Sequence, residues 1–256
     1  MKKYVWSNKK GGVGKTTGSI NLAGGLAQAG RKVLVVDMEA QANTSFVFLG
    51  TRTSTPSVYE LLIDQDNEVA ICDVIFQTDV PGVDIIPSHK EKMDGAEKDF
   101  GNIIGQQVLL ANRLKEIDEN AYEFVIIDSP PNLGILTINA LTAADEVIVP
   151  IKPGVFALQG IEDLFKIIRL VQQRLNRPEL KIAGFLLNEV ERTNVAKDVL
   201  AELQSHFGEA VFNTQIPKNI SLEEAHSRFG TVFQYEPQSK GAQAYMNLVE
   251  ELLHHE

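Results

Sequence analysis

The chain has 256 residues, 44% of them hydrophobic, which is enough for a full hydrophobic core, and we expect one domain over residues 1–256. Its single cysteine, Cys72, excludes a disulfide framework and a multi-cysteine metal or iron–sulfur site supplied by one chain. The formal net charge of −10 opposes binding of polyanions over the whole surface, so nucleic acid could bind only at a local basic patch. The sequence has neither a signal peptide nor an apolar run of about 18 residues, and we expect a cytoplasmic protein.

Short apolar runs rich in β-branched residues predict six strands, at 3–7, 32–36, 83–86, 124–127, 146–151 and 181–187. Because the runs do not alternate strictly with polar residues, they indicate strands covered on both faces, as in a buried parallel sheet. Helical patterns lie between them, most clearly at 157–176. The sequence therefore predicts an α/β fold, a doubly wound, mostly parallel sheet with helices on both faces and a ligand site at the carboxyl ends of the strands.

Residues 10–17, KGGVGKTT, separate the first predicted strand from a helical pattern that begins at Lys15. Glycines let successive backbone N–H groups turn around an anion, and the start of a helix adds unpaired amides and a positive dipole end. We expect Lys15 to neutralise the β- and γ-phosphates of a nucleotide and the Thr16 hydroxyl to bind Mg²⁺. The predicted phosphate cradle comprises Gly11, Gly12, Val13, Gly14, Lys15, Thr16 and Thr17.

A further lysine, Lys10, stands within this loop, and Lys9 occupies the place of the first glycine in the usual G-x-x-x-x-G-K-[ST] pattern. One triphosphate served by Lys15 and a metal ion does not need a second ammonium, which suggests a different target for Lys10. The loop resembles the deviant Walker A box of the ParA/MinD family of ATPases. That resemblance implies that Lys10 acts in trans, at the nucleotide of the other subunit of an ATP-bound homodimer.

The predicted strand 124–127 ends in Asp128, followed by Ser129, Pro130 and Pro131. A carboxylate at this place fits a Walker B strand, which holds water on the metal ion, so Asp128 is a candidate for the magnesium site. The two prolines stop the strand and stiffen the turn, and residues 129–134 could sense the γ-phosphate.

The second predicted strand ends in the segment 37–43, DMEAQAN, where the ParA/MinD family reads D-x-D-P-Q-x-N. Asp37, Gln41 and Asn43 match, whereas Glu39 replaces the second aspartate. The resemblance implies that Glu39 orients the hydrolytic water, and the catalytic candidates are Lys10, Lys15, Asp37 and Glu39. A carboxylate one methylene further out is misplaced by about 1 Å, which can cost roughly 100-fold in rate. We therefore expect slow ATP hydrolysis.

The resemblance extends over residues 3–253. It implies ATP and Mg²⁺ as cofactors, and base-binding loops at Asn188, Pro217 and Asn219. It also implies a homodimer stimulated by a ParB-like or cargo adaptor protein, and ATP-gated, non-specific DNA binding. Residues 181–256, where the family places basic DNA contacts, carry six Lys or Arg against eleven Asp or Glu, whereas residues 152–178 carry a net charge of +3. The candidate DNA contacts are Arg192, Lys218, Lys166 and Arg169.

A ParA/Soj-type partition ATPase, associated with the nucleoid, is thus favoured over three alternatives. MinD-like membrane cycling needs a basic amphipathic C-terminal helix, and the helical pattern at 242–252 contains no Lys or Arg. A P-loop metabolic ligase needs an acceptor pocket, and the sequence shows no cluster of His, Cys, Asp or Glu beyond the nucleotide site that could form one. The five histidines are scattered and expected at the surface. The polar segment 88–101 is predicted as a surface loop or a poorly capped helix start without chemistry. A regulatory ATPase switch without appreciable turnover or DNA binding remains open.

Overall fold

The computed structural model describes residues 1–50 and 55–254. The strands are β1 (Lys2–Trp6), β2 (Val33–Asp37), β3 (Phe76–Gln77), β4 (Val83–Ile86), β5 (Phe124–Asp128), β6 (Glu146–Ile151), β7 (Lys181–Val190) and β8 (Val211–Pro217). The helices are α1 (Lys15–Gln28), α2 (Asn43–Leu49), α3 (Val58–Ile63), α4 (Lys90–Met93), α5 (Ala96–Phe100), α6 (Leu109–Leu114), α7 (Ile135–Ala143), α8 (Ile161–Arg174), α9 (Asn194–Phe207), α10 (Ile220–Ser227), α11 (Val232–Tyr235) and α12 (Lys240–His254). Among these helices none is long and apolar enough to cross a membrane.

The strands form one eight-stranded sheet in the order β3-β4-β2-β5-β1-β6-β7-β8. Neighbouring strands are parallel except β3, which pairs antiparallel with β4. The predicted mostly parallel sheet is therefore confirmed. Strand β1 lies between β5 and β6, where the winding of the chain changes direction, and ligands bind at this position in doubly wound sheets.

Alternate residues of the central strands pack into two separate cores. Val5 of β1 packs into the layer that includes α7 and α8. Tyr4 and Trp6 face the opposite layer, which includes α1 and α12. Because helices cover both faces of the sheet, the strands are apolar throughout, which is why they do not show strict alternation.

Helix α1 packs very closely on β1. A Cβ atom added to Gly18 would lie within 2.4 Å of the indole ring of Trp6, which is fully buried. Only glycine leaves room for the helix to approach the strand so closely, and the approach fixes the relative position of β1 and α1. The phosphate loop that joins them is consequently held at both ends.

Two strands were missed by the sequence prediction, β3 and β8. Strand β8 lies at the sheet edge, and its residues alternate between buried Phe212 and Ile216 and exposed Asn213 and Gln215. It therefore lacks the continuous apolar run that marks the central strands. Strand β3 has only two residues, too few to produce a pattern.

Two helical predictions need correction. The pattern at 157–176 forms a helix only from Ile161, because Gly160 adopts a left-handed φ of 90° and separates α8 from the preceding turns. For the segment 88–101 the loop alternative is wrong and the alternative of a poorly capped helix start is confirmed. The segment forms the short helices α4 and α5, neither of which has a side-chain cap at its start, and Met93 and Phe100 are buried in the core.

We predict that Gly18→Ala destabilises the fold by about 1–3 kcal/mol, because the added methyl group must displace the Trp6 ring or the helix. Urea denaturation followed by circular dichroism measures the loss. The matched control is Gly154→Ala, since an added Cβ there meets nothing within 4 Å and φ is not positive. Equal stability of the two variants would contradict the close packing of α1 on β1.

Candidate nucleotide site

A cavity of about 370 Å³ opens at the carboxyl ends of β1, β2, β5 and β7. It is lined by Gly11, Gly12, Gly14, Lys15, Thr16, Thr17, Glu39, Gln41, Asn43, Pro131 and Glu189. The phosphate loop predicted from the sequence thus lies in one concave site with the segment that follows β2. The site lies beside β1, where the winding reverses.

The loop depends on glycine at two positions. Gly12 and Gly14 adopt left-handed φ angles of 66° and 89°, which a side chain would disfavour. A Cβ atom at Gly14 would also lie 1.9 Å from Asn188 Nδ2. Asn188, 2% exposed, donates a hydrogen bond from Nδ2 to the Val13 carbonyl at 2.8 Å, so this side chain supports the loop from its buried side.

Lys15 is buried within the loop that it serves. Its Nζ donates to the Asn8 carbonyl at 3.2 Å and to the Lys10 carbonyl at 3.4 Å. Burial lowers the pKa of Lys15, while the carboxylates of Asp128 and Glu39 act in the opposite direction. The ammonium is therefore held at the base of the phosphate cradle.

Asp128 lies fully buried at the end of β5 and accepts two hydroxyl donors on one oxygen. Oδ2 accepts from Thr16 Oγ1 at 2.8 Å and from Thr44 Oγ1 at 2.7 Å. Burial raises the pKa of this carboxyl, which the two hydroxyls and Lys15 counteract. Among the described residues, Asp128 Oδ1 has no hydrogen-bond partner.

These residues fit a magnesium ion. Mg²⁺ prefers hard oxygen ligands, keeps several of its water molecules and binds through few protein groups together with substrate phosphates. The Thr16 hydroxyl at the rim of the cavity and the orphaned buried oxygen of Asp128 supply such a ligand and an acceptor for metal-bound water.

Asp37 lies beside Asp128 but is not part of the cavity lining formed by the described residues. Its Oδ1 accepts the backbone N–H of Glu39 at 3.0 Å, and its Oδ2 accepts the backbone N–H and hydroxyl of Ser45 at 2.8 and 2.6 Å. Burial, and then the neighbouring charge of Asp128, raise its pKa to about 7. These contacts hold the segment after β2 in place, and the catalytic role expected for Asp37 stays a prediction.

Glu39 lines the cavity and is half-buried. Its Oε1 accepts the backbone N–H of Gln41 at 3.4 Å, which turns the carboxylate back toward its own loop. Burial is the largest influence on this carboxyl and raises its pKa.

Lys10 and its neighbour Lys9 differ in the ion pairs that their side chains form with the described residues. Lys9 Nζ forms an ion pair with Asp163 at 2.9 Å. The backbone N–H of Lys10 donates to Asn8 Oδ1 at 2.9 Å, but its ammonium forms no ion pair within residues 1–50 and 55–254.

The predicted base and DNA contacts lie outside the cavity lining of the described chain. Asn219 caps α10 by accepting the Ser221 N–H at 2.9 Å. Lys218 pairs with Glu191 at 2.6 Å and Lys166 with Asp163 at 3.2 Å. The base-contact candidate Pro217 is half-buried at the end of β8. The DNA-contact candidates Arg169 and Arg192 are exposed and form no ion pair in the described part of the chain.

Sequence reasoning missed several residues that complete the site, namely Thr44, Ser45, Ser88 and Glu189. The available signal for Thr44 and Ser45 was two hydroxyl residues directly after the matched Asn43. Glu189 lines the cavity with a left-handed φ of 53° and pairs with Lys152 at 2.6 Å. Its position depends on how β7 ends, which the sequence pattern does not indicate.

The expectation of surface histidines is wrong for His89 and His226, which are half-buried, and His255 lies outside the described residues. His226 Nε2 lies 3.4 Å from Asn21 Nδ2 on α1, and burial lowers its pKa to about 4. In the described chain no group of three or more His, Cys, Asp or Glu could hold a metal ion by itself.

Comparison with known proteins places this site in a family. A family model described as an AAA domain matches residues 1–182. The chain is 40% identical over 248 residues to the sporulation initiation inhibitor protein Soj of Bacillus subtilis, covering 96% of each chain. It is 37% identical over 253 residues to the chromosome partitioning protein ParA of Caulobacter vibrioides, covering 98% of this chain and 93% of that protein.

Among solved structures, the chain is similar to cobyrinic acid a,c-diamide synthase from Mycobacterium smegmatis with bound ATP analog and magnesium. The TM-score is 0.84 at 32% identity, and the match covers 100% of this chain and 95% of that one. The near-complete matches to Soj and ParA include the phosphate loop and the segments after β2 and β5. The chain therefore belongs to the ParA/Soj family of P-loop ATPases.

Proposed function

We propose that this chain binds ATP with Mg²⁺, dimerises in the ATP-bound state, binds DNA without sequence preference and hydrolyses ATP slowly to release it. The ParA/Soj membership supports a role in partition of DNA or positioning of another cargo. The observation that carries the proposal is the Lys10 ammonium, which forms no ion pair with any described residue while Lys15 already occupies the base of the loop.

In this proposal the loop amides and Lys15 bind the phosphates, and Thr16 and Asp128 hold magnesium and its water. Magnesium, when bound, supplies charge neutralisation on the phosphate oxygens. Glu39 would orient the attacking water, and its Oε1 lies 3.4 Å from the backbone nitrogen of Gln41. The longer side chain, which places the carboxylate one methylene further out than aspartate, favours slow turnover.

An exposed apolar turn beside the loop fits the proposed dimer. Val155 and Phe156 are 86% and 66% exposed in the turn after β6. The turn lies against the loop, because Asn8 Nδ2 donates to the Pro150 carbonyl at 2.8 Å, and the Lys9 side chain lies 3.7 Å from the Cβ position of Gly160. Burial of these two apolar side chains against a second copy would favour the proposed dimer.

We expect Lys10→Ala to abolish ATP-dependent dimerisation and dimer-dependent hydrolysis but to leave ATP binding by the monomer unchanged, since Lys10 serves the partner. Analytical ultracentrifugation with a non-hydrolysable ATP analog measures dimerisation, and fluorescent-nucleotide titration measures affinity. Lys9→Ala is the matched control, because Lys9 pairs with Asp163. Parallel loss of nucleotide binding and dimerisation in Lys10→Ala would mean that Lys10 belongs to its own cradle.

Glu39 variants test the proposed reason for slow hydrolysis. We expect Glu39→Ala to bind ATP but lose turnover, and Glu39→Asp to raise turnover by up to about 100-fold, the effect of a roughly 1 Å shift in a positioned group. Single-turnover hydrolysis separates the chemical step from product release. If Glu39→Ala hydrolyses ATP as fast as wild type, Glu39 does not orient the water.

The charge distribution limits where DNA could bind. Lys218 and Lys166 are neutralised by Glu191 and Asp163, whereas Arg192 and Arg169 are exposed and form no ion pair with a described residue. The acidic balance of residues 181–256 opposes phosphate contacts around Arg192. Despite this acidic balance, we place the proposed DNA contacts on Arg192 and Arg169, because neither forms an ion pair with a described residue.

Binding to non-specific DNA, measured with ATP over a salt series, tests this proposal. We expect Lys15→Ala to lose binding, and Arg192→Ala to weaken it and to reduce the salt slope by about 1, the loss of one phosphate contact. Lys218→Ala is the control because its ammonium is paired with Glu191. Absence of ATP-dependent binding at low salt would refute the DNA-bound cycle and favour a regulatory switch without DNA.

The similarity to a named cobyrinic acid a,c-diamide synthase is the observation that favours a ligase. Such an enzyme needs an acceptor pocket beside the γ-phosphate. A cavity of about 700 Å³ does occur, but it is lined by Met1, Lys3, Thr142 and Arg177, at the amino end of β1. The phosphate loop follows the carboxyl end of β1 (Lys2–Trp6), whereas this cavity lies at the amino end of the same strand. Each residue of a strand adds about 3.3 Å, so the length of β1 separates the cavity from the phosphate loop.

A further inference from the structure

Thr44 occupies a position that the nucleotide-binding assignments above leave without a function. It is fully buried in the first turn of α2 and donates its hydroxyl proton to Asp128 Oδ2 at 2.7 Å. The same oxygen accepts from Thr16 Oγ1, which belongs to α1, at 2.8 Å. Two helices on separate segments of the chain therefore hold one carboxylate oxygen.

These two donors together determine the orientation of the Asp128 carboxylate. A carboxylate held by one donor can rotate about its Cβ–Cγ bond, whereas two donors from different directions fix its plane. Asp128 Oδ1 gives no help, because it has no hydrogen-bond partner among the described residues. Loss of Thr44 would remove one of the two hydroxyls that contact Asp128 Oδ2 and leave Thr16 as the donor to that oxygen.

The orientation of Asp128 in turn determines what Thr16 can offer a metal ion. A hydroxyl has one proton to donate and two lone pairs to share. When the Thr16 proton points to Asp128, the lone pairs are directed away from that carboxylate and are available to a cation. A rotated Asp128 would release the proton and allow the hydroxyl to turn.

Helix α2 is itself held rigidly, which Thr44 needs in order to position another residue. The first N–H groups of a helix lack intrahelical partners, and α2 begins after Ala42, which caps nothing through its side chain. Asp37 compensates by accepting the backbone N–H and the hydroxyl of Ser45, at 2.8 and 2.6 Å. The carboxylate of β2 therefore anchors the turn that carries Thr44.

Ser88, after β4, completes this anchor. Its backbone N–H donates to Ser45 Oγ at 2.8 Å, and its hydroxyl donates to the Glu39 carbonyl at 2.7 Å. Ser45 and Ser88 are 5% and 1% exposed, so water does not compete for these bonds. The start of α2 is thus tied to β2, to the segment after β4 and to the loop that carries Glu39.

We propose that Thr44 is a positioning residue for magnesium: it fixes the Asp128 carboxylate so that the Thr16 hydroxyl is presented to a divalent cation bound with the nucleotide phosphates. The inference rests on the proposed Mg²⁺–ATP site, but not on dimerisation, DNA binding or hydrolysis. Partners of this kind, which orient the groups around a metal, typically contribute 10–100-fold in metal affinity.

Fluorescent ATP-analog binding to the full chain over a Mg²⁺ titration, with a metal-free series in EDTA, tests the role of Thr44 without measuring hydrolysis. Mg²⁺ is expected to increase the affinity for the ATP analog, and the Mg²⁺ concentration that gives half of this increase should be about 10-fold or more higher in Thr44→Val. The affinity for the analog without metal should be unchanged. Thr44→Ser keeps the hydroxyl and should restore a value close to that of wild type.

The matched control is Thr142→Val, which also removes a buried threonine hydroxyl. That hydroxyl donates to the Gln107 carbonyl at 2.7 Å and lies near the amino end of β1, away from the phosphate loop. It should leave the Mg²⁺ dependence unchanged. If Thr44→Val does not fold, as judged by circular dichroism, Thr44→Ala replaces it. Alanine also removes the hydroxyl but does not place a methyl group against the Asp128 carboxylate.

An unchanged Mg²⁺ half-point in both Thr44→Val and Thr44→Ala would overturn the proposal. Equal shifts in Thr44→Ser and Thr44→Val would also overturn it, since the methyl group rather than the hydroxyl would then be responsible. If wild type itself shows no Mg²⁺-dependent tightening, the proposed Mg²⁺–ATP site fails, and this result is distinct from a failure of Thr44 alone.

Discussion

Two buried carboxylates lie side by side at the ends of β2 and β5, and the nucleotide site depends on how their charges are accommodated. Asp37 and Asp128 are paired in register on adjacent parallel strands, and neither is exposed. Burial raises the pKa of both carboxyls, and the neighbouring charge of Asp128 raises the pKa of Asp37 further. Such an arrangement is stable only where donors, or a cation, compensate for the lost water.

The surrounding chain supplies those donors from several directions. Thr16 comes from α1, Thr44 and Ser45 from α2, and the Glu39 N–H from the segment after β2. The two acids thereby acquire different environments. Both oxygens of Asp37 accept hydrogen bonds, whereas Asp128 keeps one oxygen free of partners among the described residues. The Asp128 oxygen without a partner among the described residues supports the proposed magnesium site.

The same arrangement links the phosphate loop to the rest of the sheet. The close contact of Gly18 with Trp6 holds α1 on β1, and Asn188 from β7 holds the loop through the Val13 carbonyl. Lys10 is different, because its backbone is held by Asn8 while its side chain forms no ion pair within the described chain. A loop whose Lys10 ammonium forms no ion pair within the described chain supports the proposed contact with a second molecule.

The sequence by itself determined the central strands, the doubly wound architecture, the phosphate loop and the acid at the end of β5, because continuous apolar runs and a glycine-rich loop are local patterns. It did not determine the edge strand β8, whose alternating residues are typical of partial exposure, or the start of α8 at Gly160. Only the tertiary structure decided that Asp37 accepts hydrogen bonds from Ser45, that Thr44 contacts Asp128, and that Lys218 and Lys166 pair with acids. These hydrogen bonds and ion pairs join residues that are distant in the chain or lie within one turn. Whether they form depends on the order of the strands and on how closely the helices pack, which no local sequence pattern specifies.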